Sequence, residues 1–254
     1  NENNTSIIPR TAGTSLAGQV VGPGIVVDVS KYFNRVIEIN TAEGWVRVQP
    51  GIVRDDLNQY LKPYGFFFAP ETSTANRAMI GGMIGNNSCG SNSVVYGSVR
   101  EHLLEVDTIL SDGSKAWFGA MDTNDFYARA KGMTGSTAES RVYSHIEKIL
   151  SDPDNRQEIE QEFPKPSIPR RNTGYALDML ARMQPFTPEG DRFNFCSLIA
   201  GSEGTLAFVV SAKLKLSPLM PPHERLVCIH CHSIDESLRA NLVVLEYAPS
   251  AVEL

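Results

Sequence analysis

The chain of 254 residues lacks the features that mark several large classes of protein. Its four cysteines do not indicate a disulfide framework in a chain of this length. No apolar run approaches the length that crosses a bilayer, so no membrane span is predicted. Lysine and arginine total 23 against 29 acidic residues, a net charge of −6, which argues against a nucleic-acid partner because phosphate binding needs a basic face. The expected compartment is the cytoplasm, where thiols stay reduced.

The common nucleotide-binding motifs are also missing. There is no Gly-x-x-x-x-Gly-Lys-Ser/Thr segment, which excludes a Walker-type phosphate loop. There is no Gly-x-Gly-x-x-Gly between a strand and a helix, so a Rossmann site is unsupported. The segment Gly201-Ser202-Glu203-Gly204 lacks the spacing of a nucleophile elbow.

One short segment, Cys228-Ile229-His230-Cys231-His232, has the residue types of a metal site. Its residues alternate as they do in a strand, so Cys228 and Cys231 would face opposite sides of a sheet. No second ligand pair follows downstream to complete a tetrahedral zinc site. We therefore predict an ordinary strand over residues 225–232 and no metal site.

A glycine-rich stretch, residues 79–97, is nearly free of bulky side chains. Its glycines let the backbone adopt unusual dihedral angles and approach a ligand closely. Asparagine and serine side chains add hydrogen-bond donors and acceptors without net charge. Ile80, Met83 and Ile84 are interleaved with the glycines, which argues against a flexible surface loop. The stretch suits the surface beneath a long, flat cofactor with many polar groups.

A second glycine-rich segment covers residues 9–19. Successive backbone N–H groups in a tight turn form an anion-binding concavity, and Thr11, Thr14 and Ser15 add hydroxyl donors. Such a turn predicts a diphosphate as the ligand. An ordinary turn without a ligand would have the same composition. Arg10 either adds a positive charge or supports the loop from behind.

Periodicity along the rest of the chain predicts a mixed α+β architecture. Strands are expected where apolar residues alternate, over residues 24–29, 35–39, 45–49, 103–110, 206–210 and 212–216. An Asp112-Gly113 turn ends the fourth of them. Helices are expected where apolar residues recur at helical spacing, over residues 52–61, 143–150 and 174–183, with a helical excursion and loop over 152–170.

Four segments together resemble the FAD-binding domain of the vanillyl-alcohol oxidase and p-cresol methylhydroxylase type. Within that family the chain is most similar to the flavin subunit of glycolate oxidase and to FAD-linked D-lactate dehydrogenases. Arg10–Gln19 resembles the diphosphate loop, and Pro70–Thr74 with Ile80-Gly81-Gly82 resembles the loop that approaches the flavin. Asn86–Gly97 with Val99-Arg100-Glu101 continues that second pattern. Gly201–Ala207, followed by Leu214-Lys215-Leu216, resembles the segment that closes over the cofactor. The ordered set runs from Ile8 to Pro221.

The resemblance implies an α+β fold with a mixed or antiparallel sheet that binds FAD. The binding is implied to be non-covalent, because Thr14 stands where some relatives carry the histidine that attaches FAD. The cofactor-binding residues that the resemblance implies are Arg10, Thr11, Ala12, Gly13, Thr14, Ser15, Gln19, Pro70, Glu71, Thr74, Ile80, Gly81, Gly82, Asn86, Asn87, Ser88, Gly90, Tyr96, Gly97, Glu203, Gly204 and Leu206.

The resemblance also implies a division into domains. Residues 1–221 are expected to form the FAD-binding domain, and residues 222–254 the beginning of an α+β cap domain that supplies most of the substrate pocket. Relatives carry a further small subdomain before the diphosphate loop. The chain is therefore expected to be a piece of a longer protein, without that first subdomain and with an incomplete active site.

The implied activity is oxidation of a 2-hydroxy acid, similar to D-lactate or glycolate, by hydride transfer to flavin N5. Candidates for substrate contacts are Arg171, Asn172 and Tyr175. The planar guanidinium of Arg171 suits a carboxylate, but Arg170 and Arg171 equally fit a solvated basic pair before a helix.

Two alternatives stay open. The same fold includes flavin reductases that use NADPH, which the order of Gly201–Ala207 and Leu214–Leu216 argues against. The other alternative is a non-catalytic flavin-binding module of a larger electron-transfer chain. Relatives sometimes continue into an iron–sulfur domain, and the electron acceptor is unknown from the sequence. Such a partner would place the protein at the periphery of a membrane.

Overall fold

The computed structural model describes residues 5–132, 137–168, 170–171 and 174–253. The strands are β1 (Ser6–Arg10), β2 (Gly24–Asp28), β3 (Val36–Asn40), β4 (Trp45–Val48), β5 (Phe66–Phe67), β6 (Leu103–Ile109), β7 (Lys115–Gly119), β8 (Phe208–Lys215) and β9 (Ser217–Pro218). The helices are α1 (Arg54–Leu61), α2 (Ile80–Asn86), α3 (Ser93–Tyr96), α4 (Val99–His102), α5 (Thr123–Ala130), α6 (Ala138–Ser151), α7 (Pro153–Glu162), α8 (Leu177–Ala181), α9 (Cys196–Ile199) and α10 (Ile234–Leu245).

The main sheet has five strands in the order β3-β4-β8-β6-β7, and every neighbouring pair is antiparallel. Successive side chains of a strand point to opposite faces, which separates an apolar face from a charged one. The apolar face carries fully buried residues such as Val46 and Leu214. On the other face, Glu105 accepts hydrogen bonds from Arg47 and, at 2.8 Å, from Lys213. The sheet therefore turns one face toward the interior and protects the other with ion pairs.

An aromatic cluster joins the edge strand β7 to helices α5 and α6. We call it the aromatic core, and it consists of Phe118, Phe126, Tyr143, Phe193 and Phe195. Phe126 and Phe193 have ring centroids 4.6 Å apart, and Tyr143 meets Phe195 edge-on at 4.8 Å. Rings in such tilted and edge-on pairs fill space densely and attract one another beyond their burial. Large side chains therefore hold this end of the molecule.

Two small sheets flank the main one. Strands β1 and β2 pair in parallel from Ser6 and Gly24 to Arg10 and Asp28, so a crossover must connect them. Residues 11–23 form that crossover, and the segment predicted to bind diphosphate begins where β1 ends. Strands β5 and β9 form a short antiparallel pair. The parallel pair thus fixes where the glycine-rich segment 9–19 starts.

The other glycine-rich stretch begins with helix α2, an element that the sequence analysis did not predict. Helix α2 contains three glycines, each of which costs a helix about 1 kcal/mol relative to alanine. Ile80, Met83 and Ile84 lie at helical spacing and are almost completely buried. Because burial of these three side chains offsets the poor intrinsic propensity, the helix depends on its tertiary neighbours.

Other secondary-structure predictions had mixed outcomes. Strands β2, β3, β4 and β6 and helices α1, α6 and α7 confirm the predicted segments. The two strands expected over 206–210 and 212–216 are one strand, β8. The helix expected over 174–183 is wrong in length, because α8 has only five residues. The strand expected over 225–232 is wrong, because that segment has no strand hydrogen bonds and its apolar side chains are exposed.

The C-terminal part, residues 222–253, consists of an extended segment followed by α10. The hydroxyl of Ser233 caps this helix by accepting a hydrogen bond from the backbone N–H of Glu236 at 3.1 Å. Its apolar residues, including Leu238 and Leu242, are exposed. Among the described residues, no helix is both long enough and apolar enough to cross a membrane.

Candidate functional site

A cavity of about 490 Å³ lies where three segments meet. These segments are the crossover after β1, helix α2 and the turn that precedes β8. Its lining residues are Pro9, Thr11, Gly13, Thr14, Ser15, Leu16, Ala17, Gln19, Val20, Val29, Pro50, Thr72, Ser73, Thr74, Ala78, Met79, Gly81, Gly82, Met83, Ile84, Gly85, Asn86, Ser88, Ile199, Ser202, Glu203, Gly204, Ala207, Phe208 and Val209. The volume lies within the range of about 300–1,000 Å³ that ligand sites occupy.

Both glycine-rich segments line this cavity, because α2 packs directly against the residues around the crossover. A methyl group on Gly82 would stand 2.7 Å from the hydroxyl oxygen of Thr11. A methyl group on Gly81 would stand 2.7 Å from the Cβ of Pro50, whose carbonyl accepts the Gly81 N–H at 2.8 Å. Only glycine permits so close an approach at these two positions.

The crossover itself has the geometry of a polar cradle. Gly13 has φ +68°, a left-handed conformation that favours glycine. The side chains of Thr11, Thr14 and Ser15 add three hydroxyls at the cavity. Arg10 does not line the cavity: its Nε would be 3.3 Å from a methyl group on Gly13, so the guanidinium lies against the backbone of the turn. The structure thus places Arg10 in the supporting position.

Helix α2 and the turn Gly201–Gly204 form one continuous surface, which we call the cavity wall. The Gly201 N–H donates to the carbonyl of Ile84, and the Glu203 N–H donates to that of Gly85, both at 2.9 Å. Three residues of the turn have left-handed backbone, with φ +95° at Gly201, +54° at Glu203 and +73° at Gly204. Positive φ at a non-glycine residue such as Glu203 is uncommon and clusters at binding sites.

Glu71 acts beside the cavity and does not line it. Its Oε1 accepts hydrogen bonds from the hydroxyl of Ser91 at 2.9 Å and from the N–H of Asn92 at 3.1 Å. A methyl group on Gly90 would overlap its Cγ. Glu71 therefore locks the loop that follows α2 against residues 70–74, several of which do line the cavity.

Two of the three candidate substrate contacts, Arg171 and Tyr175, lie apart from the cavity lining. Arg171 forms an ion pair with Asp178, which is 1% exposed and also accepts a hydrogen bond from Arg182 at 3.2 Å. The hydroxyls of Tyr175 and Thr205 are 2.6 Å apart. The third candidate, Asn172, lies outside the described residues.

The cofactor-binding residues expected from the sequence divide into two groups. Those that line the cavity are Thr11, Gly13, Thr14, Ser15, Gln19, Thr74, Gly81, Gly82, Asn86, Ser88, Glu203 and Gly204. Those that lie outside its lining are Arg10, Ala12, Pro70, Glu71, Ile80, Asn87, Gly90, Tyr96, Gly97 and Leu206. The ring of Tyr96 packs edge-on against Phe67, and its backbone carbonyl accepts a hydrogen bond from Nε2 of His102 at 2.8 Å. Tyr96 therefore packs within the fold and is not part of the cavity surface.

Sequence reasoning missed most of the apolar lining. The missed residues include Val20, Val29, Pro50, Ala78, Met79, Met83, Ile84, Ile199, Ala207, Phe208 and Val209. The only available signal was the placement of Met83 and Ile84 among glycines. The others belong to distant parts of the chain and meet only after folding.

No described group of three or more histidine, cysteine, aspartate or glutamate residues could hold a metal ion. The lining also offers little formal charge, since Glu203 is its one ionisable carboxylate and no lysine or arginine is included. The site is therefore built from backbone amides, hydroxyls and apolar side chains, which suits a largely neutral ring system and a diphosphate held by N–H and O–H donors.

Comparison with known proteins agrees with this chemistry. Residues 1–119 match the family model described as an FAD binding domain. Over 247 residues the chain is 40% identical to D-2-hydroxyglutarate dehydrogenase of Escherichia coli (strain K12), covering 96% of this chain and 23% of that protein. Over 157 residues it is 29% identical to the mitochondrial D-lactate dehydrogenase [cytochrome] 1 of Saccharomyces cerevisiae, covering 57% of this chain and 26% of the relative.

Among solved structures, the fold is similar to that of alkyldihydroxyacetonephosphate synthase. The TM-score is 0.52 at 17% identity, over 85% of this chain and 28% of that one. This likeness confirms the predicted fold class. Residues 1–119, slightly less than half of the chain, match the FAD binding domain model, as the motifs indicated, and this match supports FAD as the cofactor. The chain spans about a quarter of the length of the curated relatives that it matches.

Proposed function

We propose that this chain holds FAD non-covalently in the 490 Å³ cavity, as the flavin-binding part of an enzyme that oxidises a 2-hydroxy acid. The observation that carries the proposal is the convergence of the segments 9–19 and 79–97 on one cavity. The similarity to D-2-hydroxyglutarate and D-lactate dehydrogenases supports the substrate class. Residues 1–221 would form the FAD-binding domain and residues 222–254 would begin the cap.

In this proposal the crossover after β1 holds the diphosphate. Backbone N–H groups around Gly13 and the hydroxyls of Thr11, Thr14 and Ser15 are the donors. Thr14 offers no imidazole to which a flavin could be attached, which is why the binding is proposed to be non-covalent. Arg10 supports the turn electrostatically from behind.

The cavity wall holds the ring system. Gly81 and Gly82 leave its surface flat, Asn86 and Ser88 supply neutral polar groups, and the exposed Glu203 adds a carboxylate to the lining. The apolar lining excludes water from the remaining surface. Ile80, Asn87 and Gly90 serve the cofactor indirectly in this proposal, through burial of Ile80, the hydrogen bond from Arg100 to Asn87 and the close contact of Gly90 with Glu71, and Gly97 and Leu206 stay predictions.

The chemistry is divided between cofactor and protein. Bound FAD supplies a hydride acceptor at N5. The residues of this chain hold the ring in one orientation and keep water away from one side of it. Arg171, Asn172 and Tyr175 stay predictions as substrate contacts, and the pairing of Arg171 with Asp178 reduces the charge that Arg171 could offer a substrate carboxylate. We propose that the cap supplies the remaining substrate contacts and the base.

A glycine of α2 provides the experiment that tests the binding site. FAD is titrated into the chain and followed by quenching of its fluorescence. Gly82→Ala should weaken binding by roughly tenfold or more, because its methyl group displaces Thr11. Ser144→Ala in α6 is the control: it also raises helix propensity, and Ser144 is exposed and outside the cavity lining. Equal affinity of the two variants would contradict the proposed site.

We propose to test the activity in a protein of the relatives' full length, because this chain spans only about a quarter of them. With FAD bound, the flavin absorbance near 450 nm should bleach on addition of D-2-hydroxyglutarate, D-lactate or glycolate, and the fastest of the three identifies the substrate class. Bleaching by NADPH alone would favour the reductase alternative. A flavin that none of these reduces would favour a module that only passes electrons.

A further inference from the structure

Arg100 has a buried guanidinium that the proposed function does not use. It is 6% exposed, and within the described part of the chain no carboxylate is hydrogen-bonded to it. Burying an arginine without a partner is costly, so its donors must be satisfied in another way. Burial lowers the pKa of Arg100, and its ordinary value is so high that the side chain stays charged.

The guanidinium is satisfied by backbone carbonyls from two segments. Nε donates to the carbonyl of Ser197 at 2.9 Å, and Nη2 donates to that of Ala200 at 2.6 Å. Nη2 also reaches the carbonyl of Gly174 at 3.1 Å, and Nη1 that of Arg171 at 3.4 Å. These carbonyls belong to α9, to the residue just before the turn Gly201–Gly204, and to the segment before α8. The planar fork of arginine holds all of them at once, which a lysine ammonium cannot do.

The backbone of Arg100 makes a further connection. Its N–H donates to the Oδ1 of Asn87 at 2.8 Å. Asn87 ends helix α2 in a left-handed conformation, with φ +49°. One residue therefore connects to both halves of the cavity wall: to α2 through its N–H, and to Ala200, which directly precedes the turn Gly201–Gly204, through its guanidinium.

Gly201 shows how closely the two halves depend on this residue. A methyl group on Gly201 would stand 2.7 Å from Nη2 of Arg100. The same glycine donates its N–H to the carbonyl of Ile84 in α2. The strained backbone at Gly201, Glu203 and Gly204 needs surrounding structure that holds it, and the carbonyls fixed by Arg100 lie immediately before it.

We propose that Arg100 is the positioning residue of the cavity wall. It holds the turn Gly201–Gly204 in hydrogen-bonded register with α2, and so sets the shape of the surface on which the flavin ring is proposed to lie. The inference rests on the proposed function only where FAD is concerned, because the register of the wall can be measured without FAD.

Backbone amide exchange in the 254-residue chain tests the register directly. In Arg100→Lys, the N–H groups of Gly201 and Glu203 should exchange roughly tenfold faster or more, because buried carbonyls lose charged donors. The amides of β6 and β8 should keep their rates. Arg156→Lys is the matched control, since Arg156 donates to one carbonyl, that of Phe186 at 2.6 Å, away from the cavity. Uniform acceleration over the whole chain, or unchanged exchange at Gly201 and Glu203, would overturn the inference.

FAD affinity provides the second readout. Arg100→Lys should weaken FAD binding by roughly tenfold or more, Arg156→Lys should leave it unchanged, and millimolar methylguanidinium should restore binding to Arg100→Ala. Unchanged affinity in Arg100→Lys overturns the inference. A wild-type chain that binds no FAD overturns the proposed function instead, and the exchange rates still decide the role of Arg100.

If Arg100→Lys does not fold, the amide exchange rates of the wild-type chain test the inference instead. The inference requires the Gly201 and Glu203 amides to exchange slowly, as strand amides do. Exchange as fast as that of the exposed Asp112–Gly113 turn would overturn it.

Discussion

The aromatic core and the cavity wall stabilise their backbones in opposite ways. In the aromatic core, Phe126 and Tyr143 are fully buried and touch several other rings. In the cavity wall, Gly81 and Gly82 have no side chains, and the backbone is held by its own hydrogen bonds and by Arg100 from behind. The aromatic core is stabilised because it buries large, closely packed side chains. The cavity wall also buries Ile80, Met83 and Ile84, but it has glycine at positions where a side chain would block the close approach of other segments, and its shape depends on those neighbours.

This contrast predicts that stability and cofactor binding respond to different substitutions. Changes in the aromatic core should lower the free energy of unfolding and leave the local shape of the cavity intact. Changes around the cavity wall should alter FAD affinity more than they alter global stability.

The largest expected effect is that of Phe126→Ala. Removing this ring leaves a cavity among four aromatic neighbours and should lower the free energy of unfolding by about 3–5 kcal/mol. Urea unfolding followed by circular dichroism measures the change. Val142→Ala, at an exposed position of α6, should change stability by only about 0.5 kcal/mol. A similar loss in both variants would contradict the assignment of stability to the aromatic core.

The next effect is that of Gly90→Ala beside the cavity. Its methyl group would displace Glu71 and break the bonds to Ser91 and Asn92, at a cost of about 1–3 kcal/mol. FAD affinity should fall as well, because the hydrogen bonds of Glu71 to Ser91 and Asn92 hold residues 70–74 at the cavity. Glu71→Gln keeps the shape of the side chain and should have a smaller effect on both quantities. The reverse order would show that the charge of Glu71 matters more than its position.

A smaller effect is expected at the start of α5, close to the aromatic core. Asp122 caps this helix by accepting a hydrogen bond from the Asp125 N–H at 2.9 Å. Asp122→Ala should lower the free energy of unfolding by about 1 kcal/mol. FAD titration of the same variant should give the wild-type affinity, and a weakened affinity would show that the two regions are coupled.

The smallest effect concerns pH and the charged face of the sheet. Burial raises the pKa of Glu105, but hydrogen bonds from Lys213 and Arg47 lower it further, so the pKa lies below its ordinary value of 4.5. The group therefore contributes stability above about pH 4.5, and this contribution disappears as the pH falls through the folded-state pKa. The side chains of Arg47, Glu105 and Lys213 are 18–21% exposed, and ion pairs that still reach solvent are worth about 1 kcal/mol or less.

Glu105→Gln removes this titration. Urea unfolding between pH 7 and pH 3 should show a shallower acid-side loss of stability in the variant than in the wild type. FAD affinity at pH 7 should be the same in both, because Glu105 lies on the face of the sheet turned away from the core. Parallel pH profiles would contradict the assignment of the low pKa.

Much of the sheet was predictable because strand periodicity is local. The alternation in β4 and the Asp112-Gly113 turn after β6 need no information from elsewhere in the chain. Helix α2 was not predictable from propensity, since its glycines disfavour a helix and only burial of Ile80, Met83 and Ile84 compensates. Residues 225–232 show the opposite error, because alternation alone does not make a strand when none of the described strands pairs with the segment.

The candidate site shows the same division. The polar residues near Gly13 and Gly82 could be named from their motifs, and the resemblance to a known family supplied their order. The role of Arg100 could not be named, because its four carbonyl partners lie 71 to 100 residues away in the sequence.

The sequence by itself indicated the FAD-binding motifs and the cofactor, and it named polar residues of both glycine-rich segments that line the cavity. These properties depend on short motifs, in which residues adjacent in sequence determine the backbone conformation and supply the hydrogen-bond donors. Only the tertiary structure decided that α2 is a helix, that Arg10 and Glu71 support the cavity from outside, and that Arg100 joins its two halves. Each of these depends on burial and on contacts between distant segments, which exist only once the chain has folded.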